Sequence, residues 1–187
     1  ERNRVVTNGM SEFARARENI NGALLVNVTP EDFGGNSPLA GIAFQRRLER
    51  AAYDLGGGGY LAPAQRVEDF LAGRTSTGPG RAIPSYRPGV TWTDLRLCLP
   101  PFVSDAIAEA LPILGRKLQG YDAPDAVLTA VESRSSSPVC IPRDGTYQSS
   151  LPGLYPCGEG AGYAGGILSA AADGMRCAEQ ICQSLTP

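Results

Sequence analysis

A mixed α/β fold is what this sequence predicts. Three observations point there: apolar stripes at helical spacing, short apolar runs bounded by Gly and Pro, and a glycine-rich stretch between such a run and a long final helix. The chain has 187 residues, 42% hydrophobic and 19% charged, enough for a sizeable core in one domain or two small ones.

Along the chain, Val5-Val6-Thr7 reads as a strand remnant before the turn Asn8-Gly9. Opening on half a strand pattern predicts strand partners upstream. Ser11 to Glu18 is expected as a short helix capped by Ser11. Ala23 to Val28 is strand-like and stops at Pro30. A loop from Asp32 to Pro38 precedes a helix of about four turns, with Phe44, Leu48, Ala51 and Leu55 as its stripe, ended by Gly56 to Gly59. Arg46, Arg47 and Arg50, with Glu49 among them, read as its solvated face.

Pro63 is placed to open a second helix through Phe70 and Leu71. Gly73 to Pro84 reads as an exposed loop. Ile107, Leu111, Leu114 and Leu118 mark a helix from about Ser104 to Leu118, with Pro112 a kink or a break. Strand candidates follow at Ala126 to Val131, Val139 to Ile141 and Leu154 to Cys157. The last helix is expected from about Ala164 to Leu185.

Several function classes are excluded or weakened. The net charge is -2 with no long basic block, so a nucleic-acid partner is not expected. No apolar run approaches the roughly 20 residues of a membrane span, and no signal-peptide layout is present, so a cytoplasmic location is expected. The chain has no histidine, which removes a Ser-His-Asp hydrolase and the commonest metal ligand. Five cysteines without a CxxC pair do not suggest a disulfide framework or a thiolate metal site; no metal is expected.

The stretch most able to carry chemistry is Gly153 to Ile167, with six glycines in fifteen positions. Glycines there let a ligand approach the backbone, and a helix start offers free N–H groups and a positive dipole end. Glu159, the one carboxylate in the loop, suits sugar or ribityl hydroxyls rather than a phosphate. A packing reading stands beside the ligand reading: the glycines bring the last helix close to a sheet, and Glu159 caps amides. The stretch is read as neither a dinucleotide fingerprint nor a Walker loop. On the helix, Ile167, Ala171, Gly174, Ala178, Ile181 and Leu185 form a small-residue stripe, and a close contact is expected at Gly174 to offset its cost. Asp173 is expected to be solvated or capping. Cys177 and Cys182 are expected to be buried small hydrophobes rather than redox partners.

These residues also carry a resemblance. Gly153 to Ile167, with Ser169-Ala170-Ala171 and Asp173-Gly174, resembles the C-terminal FAD motif of uncharacterised FAD-dependent dehydrogenases, within the NAD(P)/FAD-dependent oxidoreductases. Val131 to Val139 resembles that family's E-x-R-x-S-S-P segment. Thr7-Asn8-Gly9-Met10-Ser11, Pro38-Leu39-Ala40-Gly41, Phe44-Gln45, Pro63-Ala64-Gln65 and Ser85-Tyr86-Arg87-Pro88-Gly89 match in the same order, so the resemblance covers nearly the whole chain.

The resemblance implies part of a two-part FAD-binding domain of glutathione-reductase-like type. Residues 1–20 would be a residual flavin-domain segment, 21–125 an inserted substrate-side domain, and 126–187 the C-terminal segment of the flavin domain. The partner it implies is an N-terminal Rossmann portion of the same polypeptide. FAD would be bound by the intact protein and not by this chain alone, and a small-molecule redox substrate would be the second partner. Gly158, Glu159, Gly162, Tyr163, Ala164, Gly165, Gly166 and Ile167 would contact the cofactor. Glu132, Arg134 and Ser136 would lie on the substrate side. The chain departs from the pattern at Cys140, where the family pattern has arginine; a buried structural role is expected for this cysteine. The other reading is a non-catalytic structural or interaction module retained without cofactor.

Overall fold

The computed structural model describes residues 2–9 and 13–185. It shows a mixed α/β fold with one small sheet and several helices. The chain forms two compact units, residues 1–29 with 45–133 and residues 30–44 with 134–187.

The sheet belongs to the first unit. Strand β1 (Ala62–Arg66) lies between β2 (Val90–Trp92), to which it is parallel, and β3 (Val127–Thr129), to which it is antiparallel. Ala64 pairs with Trp92 on one side and Thr129 on the other. The helix expected to open at Pro63 is therefore replaced by this central strand, and the helix α2 (Val67–Leu71) follows only after Arg66. The reason is local and tertiary together. A residue before proline is driven to extended backbone. Pro63 lacks a donor, but its carbonyl still accepts from the Ala130 N–H at 3.0 Å. Ala62 to Gln65 are all buried, as a strand covered on both faces must be.

Helix α1 (Ala40–Leu55) forms over the expected stripe, and the glycines end it as expected. Gly57 takes φ +81°, the left-handed region in which a side chain is strained. Arg46, Arg47 and Arg50 are exposed, whereas Glu49 between them is fully buried, with its carboxylate 2.9 Å from the Ser133 hydroxyl. Helix α3 (Pro101–Lys117) starts earlier than expected because Pro101 suits the first helical turn, and it runs through Pro112 without a break.

Around the sheet, Val5, Ala52, Ala62, Val67, Phe70, Leu95, Cys98, Leu111, Ala130 and Val131 form one apolar core. Burial pushes the Cys98 thiol up to about 12, so it is an inert core residue. Gln65 is buried but satisfied: its amide donates to the Arg74 carbonyl at 2.6 Å and accepts from the Leu95 N–H at 2.8 Å. Asp69 holds the Gly73 to Pro84 loop inward through the buried Ser76 hydroxyl at 2.7 Å and Arg74 at 2.8 Å. That loop is irregular, as expected, but pinned at Ser76.

Other expected elements do not form. Val5 to Thr7 makes single bonds, Val5 N–H to the Glu49 carbonyl and Thr7 N–H to the Val131 carbonyl, rather than a ladder. Phe13 to Glu18 is turn and bend, not helix; Ser11, the expected cap, and Met10 of the matched motif lie outside the described residues. Ala23 to Val28 alternates in exposure but is in no strand ladder among the described residues. In the second unit, the candidates Val139 to Ile141 and Leu154 to Cys157 are not strands. Pro142 and Pro156 remove ladder donors there. The second unit is built instead on a 3-10 turn (Pro30–Phe33), the start of α1, and the last helix α4 (Ile167–Leu185). Gly41 lets α1 approach Pro138: a side-chain carbon there would sit 2.7 Å from the Pro138 Cβ.

Candidate functional site

The second unit lays two chain segments side by side. Ser137 donates from its hydroxyl to the Gly160 carbonyl at 3.2 Å, and the Ile141 N–H donates to the Ala161 carbonyl at 3.0 Å. Gly162 makes the approach possible. It has φ +84°, and a Cβ there would lie 2.5 Å from the Val139 oxygen and 2.8 Å from the Cys140 Cα. Part of the glycine content thus serves packing, but of the loop on the irregular Val139–Cys140 segment, not of the last helix on a sheet as the competing reading expects.

The far side of the same loop is open. A Cβ on Gly160 would meet no atom within 4 Å, and one on Gly165 would meet only the Ser136 hydroxyl, at 3.9 Å. Ser136 and Gly165, distant in sequence, are brought together. Helix α4 begins at Ile167, three residues later than expected, because Ser169 caps it: its hydroxyl accepts from the Gly166 N–H at 3.1 Å and donates to the Gly166 carbonyl at 2.9 Å. The next N–H groups of α4 have no intrahelical acceptor by helix geometry, and Ile167, Leu168 and Ser169 are exposed around them. An electron-rich group is favoured at such a helix end.

The loop is held by a cluster centred on Arg143, a residue not singled out from sequence. Arg143 makes a two-pronged ion pair with Asp173 of α4, at 2.9 and 2.7 Å, and its guanidinium also donates to the Pro156 carbonyl at 2.9 Å. Tyr147 and Tyr163 stack against the guanidinium, at 4.1 and 3.6 Å from its carbon to the ring centres. Asp173 also accepts the Gly158 N–H at 2.8 Å. The Arg143 hydrogen bonds, then the Gly158 amide, draw the Asp173 carboxyl down to about 2. Asp173 was expected to be solvated or capping; its side chain is in fact 13% exposed, because the arginine and the loop amide enclose it.

A family model described as "FAD-dependent protein, C-terminal domain-like" matches residues 1–135. The chain belongs to this family. It is also 50% identical over 184 residues to an uncharacterized protein of Clostridium beijerinckii, an alignment covering 98% of this chain and 34% of that protein. The chain thus spans about a third of the length of that relative. Membership of the FAD-dependent family rests on the residues up to 135; the glycine-rich loop lies beyond them, within the stretch aligned to the Clostridium protein.

Within this member of the FAD-dependent family, the expected site residues fall into three groups. Gly158, Gly162 and Tyr163 build the loop. Gly158 is buried, and the Tyr163 hydroxyl donates to the Ile141 carbonyl and accepts from the Arg143 N–H, both at 3.1 Å. Burial, then contact with Cys140, raises the Tyr163 pKa. Glu159, Gly165 and Ile167 are exposed, and Ala164 and Gly166 are half-buried. Arg134 is exposed in the same unit as Ser136, while Glu132 belongs to the first unit.

Three sequence expectations need correction. Gly160, Gly162 and Gly165 do have the G-x-G-x-x-G spacing, but the preceding Leu154 to Cys157 is not a strand, so the structural context of that fingerprint is lacking. Cys140 is exposed rather than buried, and so is Cys182, whereas Cys177 is buried as expected. At Gly174 a Cβ would meet nothing within 4 Å, so no close contact offsets its helical cost; the stripe residues Ile167 and Leu185 are 89% and 78% exposed. Among the described residues no group of His, Cys, Asp and Glu could hold a metal ion, and no helix is long and apolar enough to cross a membrane.

Proposed function

We propose that the chain is the C-terminal portion of a flavoprotein oxidoreductase, an FAD-dependent dehydrogenase that exchanges hydride or electrons with a small-molecule substrate. The observation that carries this reading is the open backbone at Gly160 and Gly165 in front of the exposed start of α4, in a chain of the FAD-dependent family. The arrangement suits the electron-rich edge of a flavin ring: amide donors, no side chain in the way, and Ser136 beside Gly165. When bound, the flavin would supply the two-electron chemistry. Gly165, Gly166 and the first α4 amides would hold its edge, Glu159 would accept hydrogen bonds from ribityl hydroxyls, and Ser136 and Arg134, with Glu132, would meet the substrate.

The layout that goes with this is a two-part, glutathione-reductase-like flavin domain interrupted by a substrate-side insert over about residues 21–125, with its pyrophosphate site in a further Rossmann portion of the polypeptide. Tyr163 is a poor proton carrier at neutral pH, because its hydroxyl is engaged and its pKa raised. With no histidine, proton transfer by this chain falls to Glu132, Glu159 or water.

The test is spectroscopic. Purified with its natural flanking sequence, the protein should show bound-flavin absorbance, and Glu159→Ala should lower cofactor occupancy. A colourless protein that gains no flavin on incubation with FAD contradicts the oxidoreductase reading; full occupancy in the variant contradicts the role of Glu159.

A further inference from the structure

Ala23 to Val28 of the first unit is a segment without a partner strand among the described residues. Leu24, Val26 and Val28 are half-buried, while Ala23, Leu25 and Asn27 are exposed. That is the period of two of a strand, whose successive side chains point to opposite faces. The inward face is anchored. Leu24 packs against the apolar core, and a Cβ on Gly22 would lie 3.3 Å from the hydroxyl of Tyr121, which packs on the same core. Just upstream, the Asn19 side-chain amide donates to the Ile83 carbonyl at 2.6 Å. The segment is thus held in place by its side chains and flanks, yet among the described residues no backbone–backbone hydrogen bond reaches its amides or carbonyls.

Strand amides and carbonyls need partners, and an edge meant to stay in water carries charge, proline or a bulge that keeps other strands away. Ala-Leu-Leu-Val-Asn-Val has no charge and no proline, and Leu25 on its outward face is 53% exposed. A segment of this composition is an acceptor for one more strand. The sheet of the first unit does not supply it: β1 is paired on both sides, and β2 and β3 are three residues each, too short to pair along all of residues 23–28. A longer polypeptide can. The alignment to the Clostridium protein takes in 98% of this chain and only 34% of that relative, so most of such a polypeptide lies outside these residues.

We propose that Ala23 to Val28 is a docking edge that receives a β-strand from a part of the same polypeptide outside residues 1–187. The incoming strand pairs its N–H and C=O groups with those of the segment, which gives the binding energy, and is apolar at alternate positions so that its side chains cover Ala23 and Leu25. The edge belongs to the first unit alone and does not depend on the flavin assignment.

The test uses the protein with its natural flanking sequence and has two readouts. Amide hydrogen exchange should show alternate amides of residues 23–28 slowed by about 100-fold or more relative to an unstructured chain, equally at high and low protein concentration. A photo-reactive p-benzoylphenylalanine is then placed at Asn27, or at Ala23 if the first variant does not fold, and the cross-linked digest is mapped by mass spectrometry. The expected product is an intramolecular link to a peptide outside residues 1–187. Exchange at the unstructured rate across 23–28 overturns the proposal. So does protection that disappears on dilution, a link to a second copy or to a peptide within residues 1–187, or no link from either position.

Discussion

The two units are held together by different physics. The first closes an apolar core around β1, with Phe70 and Leu111 almost fully buried and its polar interior residues, Gln65 and Asp69, bonded to neighbouring loops. The second has few buried apolar side chains. Its loop is fixed by polar contacts, the Arg143–Asp173 ion pair between two tyrosine rings and the bonds of Gly160 and Ala161 to Ser137 and Ile141, while Ile167, Leu168 and Met175 of α4 stay 89%, 85% and 66% exposed. A region stabilised by area burial resists local opening; a region fastened by a few polar contacts can open there and leaves backbone free for a ligand. The candidate site lies in the second kind of region.

This contrast breaks most sharply in the core. Phe70→Ala should cost about 3–5 kcal/mol, read as a lower urea midpoint for the first unit. Little change in hydrogen exchange is expected at residues 156–166. Equal loosening of that loop would mean the two regions are not separately stabilised.

Next comes Asp173→Asn, which removes one charge of a pair whose side chains are 11% and 13% exposed. A loss of about 1–3 kcal/mol of local protection is expected in the loop, seen as faster exchange of the Gly158 amide, with the first unit's urea midpoint unchanged. Acid should act in the same way. The folded carboxyl titrates near 2, below the ordinary aspartate value of about 4. Its stabilisation is therefore complete above about pH 4 and is lost as pH falls toward 2. A carboxyl titration midpoint near 4 by NMR would contradict the ion pair.

Smallest and opposite in sign is Gly174→Ala. With open space around it in mid-helix, alanine should stabilise α4 by roughly 0.5–1 kcal/mol. A loss of stability would reveal a neighbour that α4 packs against in the whole protein.

Legibility in the sequence followed the same divide between local and distant causes. Helices α1 and α3 were readable because their apolar residues recur at helical spacing, and α4 because the glycines mark its start to within three residues. Strand β1 was not: Ala-Pro-Ala-Gln-Arg has no β-branched or aromatic residue, and only burial between two partners makes it a strand. The glycine loop was visible as composition, yet which glycines pack and which stay open depended on Val139 and Cys140, about twenty residues upstream. The pairing of Arg143 with Asp173 was missed for a similar reason. They stand 30 residues apart, and neither lies in a local pattern that announces the pair. The family match, through residue 135, agrees with the resemblance seen across the upstream motifs.

The claim that matters most is that backbone left open beside α4 receives a flavin. Amide hydrogen exchange on the natural-length protein, stripped of flavin and then restored with FAD, addresses it directly. Slower exchange at Gly165 to Ser169 on adding FAD is the predicted result. Bound flavin with unchanged exchange across those amides would contradict it.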